Sequence, residues 1–437
     1  MALLLYNCIL TFLALLASPV VVAALLLRPR YRLGLTQRLG FLPAEAVQRF
    51  ATQAPLWVHA PSVGELLATR PFLRALKHAF PTTPILLSCL TPTAYATAHA
   101  QVSEADAIIY FPLDHPWIIS RVLRHITPKA FLFTETEMWP NFLAMLHRQG
   151  IPTILVSGRF SARASSRYRL VSALFTPIFR NLTCSGMQTQ ADADRLIQAG
   201  ASPDRVFVTG NFKVDGAVAG GTQGQEILAA LGLADRVLLI GASTHLGEET
   251  LLLNTLRRLR EAVPRLLLVL APRHPHRFAE VEQLLKTGGF HYHKRSQPAA
   301  FPLTGIEVFL LDTLGELVSF YPSAALTYVG GSLSKGPGGH SVIEPALAQV
   351  PVCFGPYTRN FATVVEELLR DGGGFVVRDE DSFYRTALPL LIDERSRREA
   401  GARAFAVVQR GQGAVERTLT MVRNGIESRC TRNTRNT

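Results

Sequence analysis

In "LWVHAPSVGELLATRPFLRAL", residues Leu56 to Leu76, a glutamate stands where an apolar run gives way to a helical pattern. Leu56-Trp57-Val58 reads as a buried strand, and Leu66, Leu67, Phe72, Leu73 and Leu76 recur as on one helix face. Glu65 therefore lies in a strand-to-helix loop, the place where open α/β sheets bind ligands. A carboxylate there suits a general base, but Ser62-Val63-Gly64-Glu65 also spells a capping box, in which the glutamate only satisfies backbone donors. "FLFTETEMWPN" puts Glu135 and Glu137 just beyond another strand. Three carboxylates crowding one rim raise at least one pKa and suit a base, while Thr134 or Thr136 capping a helix with glutamate support is the plainer alternative. In "GRFSARASSRYR", Arg159, Arg163 and Arg167 recur every four residues and share one face if helical. Such a stripe is solvated surface or, beside a bilayer, a holder of acidic groups.

The second half carries "GASTHLGEE", "APRHPHRF", "DTLGELVSFY" and "YVGGSLSKGPGGHSVIEPAL", each directly after a strand candidate. They should converge on one rim. Gly330, Gly331, Gly336, Gly338 and Gly339 let a backbone approach a ligand closely, and helix-start amides beside Arg273 and His274 can hold phosphate. No Walker loop is present. Glu344 can accept hydrogen bonds from ribose hydroxyls, or be a helix-start carboxylate favoured by the dipole. Asp192-Ala193-Asp194 and Asp379-Glu380-Asp381 spell D-x-D but open helices, where acids are expected without a metal. His245 and Glu249 have i, i+4 spacing without an H-E-x-x-H pattern.

The elements that must position these groups are short apolar runs alternating with helical patterns. In the first half the runs are Leu56 to Ala60, Ile85 to Cys89, Ala107 to Phe111, Ala130 to Phe133, Thr153 to Val156, Leu182 to Gly186 and Val206 to Val208. In the second they are Val237 to Ile240, Leu266 to Leu270, Val308 to Leu311, Ala325 to Val329, Val352 to Phe354 and Phe375 to Val377. This alternation predicts an α/β protein with two doubly wound, Rossmann-like parallel sheets. The expected organisation is an anchor over 1–27, α/β domains over 28–214 and 226–427, a glycine-rich linker over 215–225 and a flexible tail over 428–437.

Of the 437 residues 48% are hydrophobic and 18% charged, which leaves little scope for disorder outside the termini. The five cysteines form no close pair, so a reducing compartment is expected. Ala2 to Leu27 carries no charge and is long enough to cross a bilayer; Arg28, Arg30, Arg32 and Arg38 follow it. The positive-inside rule then places the rest in the cytoplasm behind a single spanning anchor, a buried or monotopic helix being the other possibility. The net charge of +12 finds its partner in phospholipid headgroups rather than nucleic acid, for which no motif is present.

Taken together the motifs resemble the 3-deoxy-D-manno-octulosonic acid (Kdo) transferases of lipopolysaccharide synthesis. The resemblance spans almost the whole chain: the hydrophobic N-terminus, "RLGLTQRLG", "WVHAPSVGE", "FTETEMWPN", "VTGNFKVDG", "GASTHLGEE", "APRHPHRF", "DTLGEL", "VGGSLSKGPGGHSVIEPA" and "GPYTRNF". Each is short; number and order make the assignment. It implies an inverting GT-B glycosyltransferase needing no metal or other cofactor, with an acceptor domain and a CMP-Kdo domain facing a cleft. The acceptor is then the lipid A precursor, lipid IVA, on the cytoplasmic face of the bacterial inner membrane, and the headgroups are those of inner-membrane phospholipid. By the same resemblance Glu65 is the general base, and Glu137 and Lys213 stabilise the transition state. Pro272, Arg273, His274, Gly315, Glu316, Leu317, Gly331, Ser332, His340, Ser341 and Glu344 are the CMP contacts, and Ser62, Gly64, Arg159 and Arg163 acceptor contacts. The chain departs from the family pattern at Pro61, at Ser157-Gly158-Arg159, and at Ser341, which is shorter than the usual asparagine. A nucleotide-sugar epimerase of the same build and a non-catalytic, membrane-tethered nucleotide-sugar binding protein are the rival readings; the uncharged N-terminus opposes the first and the clustered ionisable groups the second.

Overall fold

The computed structural model describes the backbone of residues 1–28, 32–135, 137–218, 220–298 and 303–433, and their side chains apart from those of residues 21, 26, 163 and 428–433. Strands apolar on both faces call for helices on both sides of a parallel sheet. The first sheet is built this way from β1 (Leu56–His59), β2 (Ile85–Cys89), β3 (Ala107–Tyr110), β4 (Ala130–Thr134), β5 (Thr153–Gly158), β6 (Cys184–Met187) and β7 (Val206–Val208). The strands lie in the order β3-β2-β1-β4-β5-β6-β7, all parallel. The chain leaves β1 towards one edge and β4 towards the other, so the loops after these two strands flank the switch point where such sheets take ligands. Trp57 anchors the core beneath, edge-on to Phe131 and Phe142, with its indole N–H donated to Ser88 Oγ at 2.8 Å.

The second sheet comprises β8 (Val237–Thr244), β9 (Leu266–Pro272), β10 (Tyr292–Lys294), β11 (Val308–Leu310), β12 (Ala324–Val329), β13 (Val352–Phe354) and β14 (Gly374–Val376). Its order is β10-β11-β9-β8-β12-β13-β14, with the switch point between β8 and β12. The two doubly wound sheets are those the alternation predicts. β10 is an addition to the expected strands: three polar residues at a sheet edge, paired only with β11, carry no apolar run to announce them.

The domain boundaries need correction. The chain forms two compact units, Met1–Gly216 with Gln412–Thr437, and Ala217–Gly411. The last helix, Ala414–Asn433, thus belongs to the first unit rather than to a second domain over 226–427, and its backbone stays helical into the expected flexible tail. Leu419, Val422 and Ile426 pack with Leu66, Phe72 and Phe212. Asp215, expected in the linker, instead accepts hydrogen bonds from the amides of Gly413 (2.8 Å) and Val415 (2.6 Å) and pins the returning chain. An amphipathic helix announces that it has an apolar face but not which sheet covers it, which is why sequence order misassigned it.

The N-terminal segment is a single helix, Ala2–Leu27. It is not separate from the domain that follows: Tyr6 donates to Asp114 Oδ2 at 3.1 Å, and Asn141 Nδ2 donates to Asn7 Oδ1 at 2.7 Å. Of the arginines after it, Arg30 lies outside the described residues.

Candidate active site

Glu65 opens the helix Val63–Ala79 directly after β1. Ser62 occupies the N-cap but makes no side-chain cap bond, so the reciprocal capping box is not formed. The Glu65 carboxylate has instead one buried oxygen, Oε2, without a hydrogen-bond partner. Across the switch point, the loop after β4 brings Glu135 and Glu137 close enough to feel it. Burial raises the carboxyl pKa of both, and the charge of Glu65 raises them further; Lys213 and Arg159 pull Glu135 back down. Glu135 takes a left-handed backbone (φ 56°), a conformation costly for a glutamate and held by its surroundings.

Lys213 reaches the group from the short helix Phe212–Asp215 after β7. A polar chain fixes that turn: Gln188 Nε2 donates to the Ser157 carbonyl (3.0 Å), Asn211 Nδ2 to Gln188 Oε1 (3.0 Å), and the Lys213 amide to Asn211 Oδ1 (3.0 Å). Glu65, Thr134, Glu135, Ser157, Gln188 and Lys213 line one pocket of about 10 Å³. Of the sequence-derived candidates, the structure therefore unites Glu65, Glu137, Lys213 and Arg159. Ser62 and Gly64 adjoin Glu65 in the chain, while the Arg163 side chain lies outside the described residues. Ser157, Gln188 and Asn211 were missed as positioning groups. Asn211 lies within "VTGNFKVDG", but amide-to-amide bonding across three strand ends leaves no spacing signal.

Lys213→Met tests this electrostatic arrangement. Removing the cation leaves burial and Glu65 less opposed, so the Glu135 carboxyl holds its proton to a higher pH. The acid limb of the kcat/KM profile is expected to move to higher pH, with Lys213→Arg close to wild type; an unmoved limb in Lys213→Met shows that Glu135 does not titrate with activity.

The second unit gathers a different chemistry. Glu248, 2% exposed at the start of the helix after β8, accepts hydrogen bonds from the amides of His245 (2.9 Å), Gly331 (2.8 Å), Ser332 (3.0 Å) and Leu333 (3.0 Å), and from Tyr328 Oη (3.0 Å). It thereby ties the loop after β12 to the loop after β8 across the switch point. Against this loop His245 and His340 stack, their Nε2 atoms 2.8 Å apart, with His274 edge-on to His245. Burial and the neighbouring cations and imidazoles lower the pKa of His340 to about 4, so it is neutral near pH 7. Arg273 follows Pro272 at the end of β9, its amide donated to the Thr244 carbonyl at 3.1 Å, and its charge is felt by all three imidazoles. Gly331, at φ 67°, faces the His340 ring so closely that an added Cβ would lie 2.8 Å from it.

Other candidates have local partners. Glu316 binds Arg295 at 2.8 Å and Thr313, between the positive-φ Gly315 and Leu317 at the start of a short helix. Ser332 is fully buried and donates to the Val329 carbonyl at 2.6 Å. Ser341 Oγ accepts weakly from the Ile343 amide at 3.3 Å. Glu344 stands in the first turn of Ile343–Leu347, near enough to raise the Tyr321 pKa beyond the larger effect of burial. Glu249 is no ligand partner of His245: it forms a buried ion pair with Arg277 at 2.6 Å.

Residues 33–216 match the family model of 3-deoxy-D-manno-octulosonic-acid transferase (kdotransferase). A 3-deoxy-D-manno-octulosonic acid transferase of Haemophilus influenzae is 32% identical over 405 residues, 91% of this chain and 93% of that protein. The chain belongs to the 3-deoxy-D-manno-octulosonic acid transferase family. The transferase of Bordetella pertussis is likewise 34% identical over 378 residues, 84% of this chain and 86% of that one. Among solved structures, a UDP-GlcNAc 2-epimerase from Neisseria meningitidis has a TM-score of 0.54 at 15% identity, covering 84% of this chain and 100% of its own. At that identity the likeness shows a shared fold. The carboxylate and lysine group therefore lies within the part matched by the transferase family model.

Proposed function

We propose that this protein transfers Kdo from CMP-Kdo to the lipid A precursor, lipid IVA, at the cytoplasmic face of the bacterial inner membrane, with Glu65 as general base. The observation that carries this reading is the buried, unpartnered Oε2 of Glu65. A buried acceptor without a donor is costly, and a substrate hydroxyl supplies the missing donor. As that hydroxyl oxygen attacks the anomeric carbon of Kdo, its proton passes to Glu65. The bond from that carbon to the CMP phosphate oxygen breaks with inversion, and its electron pair leaves with CMP. Lys213, and Arg273 with the helix-start amides, answer the negative charge that develops on the leaving group. Glu137 stabilises the transition state beside Glu65, Glu344 accepts from ribose hydroxyls, and Arg159 and Arg163 hold acidic groups of the acceptor.

The test is to incubate the purified protein with CMP-Kdo and lipid A precursor and follow the mass of the lipid. Transfer adds Kdo to the lipid; an epimerase alters only the nucleotide sugar, and a binding protein alters neither. Among the described residues no group of three or more His, Cys, Asp or Glu side chains is arranged to hold a metal ion. Transfer is accordingly expected to persist in excess EDTA, and a loss restored by magnesium or manganese would reopen the D-x-D segments.

A further inference from the structure

The helix Ala2–Leu27 is held near its start by the unit it belongs to, and the chain beyond its end returns to the same part of that unit. Near its start, Tyr6 donates to Asp114 and Asn7 accepts from Asn141. Beyond its end, Arg32 Nε folds back on the Leu25 carbonyl at 2.7 Å, and the Arg38 carbonyl accepts from the amide of Leu113 at 2.9 Å. Leu113 and Asp114 are neighbours in the chain, so the two fastenings lie side by side.

A helix crossing the bilayer with Arg28 at the cytoplasmic surface carries Tyr6 about 33 Å away, beyond a hydrocarbon core of about 30 Å. Tyr6 cannot be there and also on Asp114. Between the fastenings, residues 11–20 with Val22 and Ala23 are exposed, and nearly all are apolar. The hydroxyls in this stretch turn inward: Thr11 donates to the Asn7 carbonyl at 2.8 Å and Ser18 to the Leu15 carbonyl at 2.7 Å. The stretch thus offers hydrocarbon no unmet side-chain donor, as a segment bathed in lipid requires. Exposed apolar surface on this scale is not tolerated in water. Beside the docked end, Trp117 (81% exposed) follows Asp114 closely. Leu170 (87% exposed) ends the arginine-rich helix Ala162–Leu170, which precedes the helix Ser172–Asn181 touched by the first. Aromatic and basic groups of this kind favour the headgroup layer.

We infer that the N-terminal helix does not span the membrane but lies in a single leaflet, entering and leaving on the side that holds the domain, with a phospholipid leaflet covering its exposed apolar surface. This replaces the spanning anchor expected from length and charge. It rests on the membrane association in the reading above. It also gives the helix a second task. Asn141, which holds Asn7, lies in the first turn of the helix Pro140–Arg148, so the leaflet-borne helix is bonded to the element that directly follows the loop carrying Glu135 and Glu137.

The test uses the full chain with Cys8→Ser and Cys430→Ser, into which Leu3→Cys and Ala144→Cys are introduced; both positions line one cavity of about 230 Å³. In intact spheroplasts a membrane-impermeant maleimide is expected to leave Leu3→Cys at background labelling. In the same membranes a short bismaleimide is expected to join the Leu3→Cys, Ala144→Cys pair within one chain. Labelling of Leu3→Cys from outside, or failure of the pair to join, overturns the inference, as does recovery of the protein free of membranes. Kdo transfer measured on the same preparations fails separately if the enzymatic reading is at fault.

Discussion

Glu65→Gln is expected to reduce Kdo transfer by about 10²–10⁴-fold, the range typical for loss of a general base, while CMP binding stays near wild type. The substitution keeps the shape of the side chain and removes only its ability to take a proton. Stability should not suffer, because Ser62 makes no side-chain cap bond for the glutamate to complement, and burying a neutral amide is less costly than burying a carboxylate with an unpartnered oxygen. The two roles left open by the S-x-x-E spelling thus part company in one variant. A cap loses melting temperature and keeps turnover; a base loses turnover and keeps melting temperature. The relevant measurements are kcat with CMP-Kdo and dispersed lipid acceptor, CMP titration, and thermal unfolding.

Glu248→Ala is the second variant with a large expected effect, and it acts through the second unit. The carboxylate gathers four backbone amides and the Tyr328 hydroxyl in a buried site. Truncation leaves those donors without an acceptor, and a loss of about 3–5 kcal/mol is expected, as for breaking a buried charged network. With the loop after β12 untied from the loop after β8, CMP affinity is expected to fall by at least about tenfold, equivalent to 1.4 kcal/mol. Gly330→Ala reaches the same end from the other side, because its Cβ would lie 2.6 Å from Glu248 Oε2 and 2.5 Å from the Ser243 carbonyl oxygen. Unchanged CMP titration in both variants, with the second unit still folded, would detach this network from nucleotide binding.

The parallel sheets were legible because strands buried on both faces are written as continuous apolar runs. The same runs place Glu65 and Glu137 on one rim, because each follows a strand at the same end of the sheet. What escaped were contacts between residues far apart in the chain. Glu248 lies inside the quoted "GASTHLGEE", yet a carboxylate that collects amides more than eighty positions away has no local spacing to reveal it. Asp215 looked like linker because its neighbours are polar and glycine-rich, although its partners are Gly413 and Val415. The first helix was read by length and charge alone, which describe fitness for lipid but not the path through it. Tyr6 and Asn7 are the polar interruptions that the docking uses, and only Asp114 and Asn141 explain them.

The most direct measurement of the central claim is the coupling of CMP release to Kdo incorporation into the lipid, in wild type and in Glu65→Gln, with donor saturating. In the wild type CMP and lipid-bound Kdo are expected to appear one for one, and both are expected to fall together in Glu65→Gln with CMP still bound. A Glu65→Gln enzyme that loads the lipid at near the wild-type rate would contradict the assignment of the base, and wild-type protein that releases CMP without the lipid gaining mass would contradict the transfer itself.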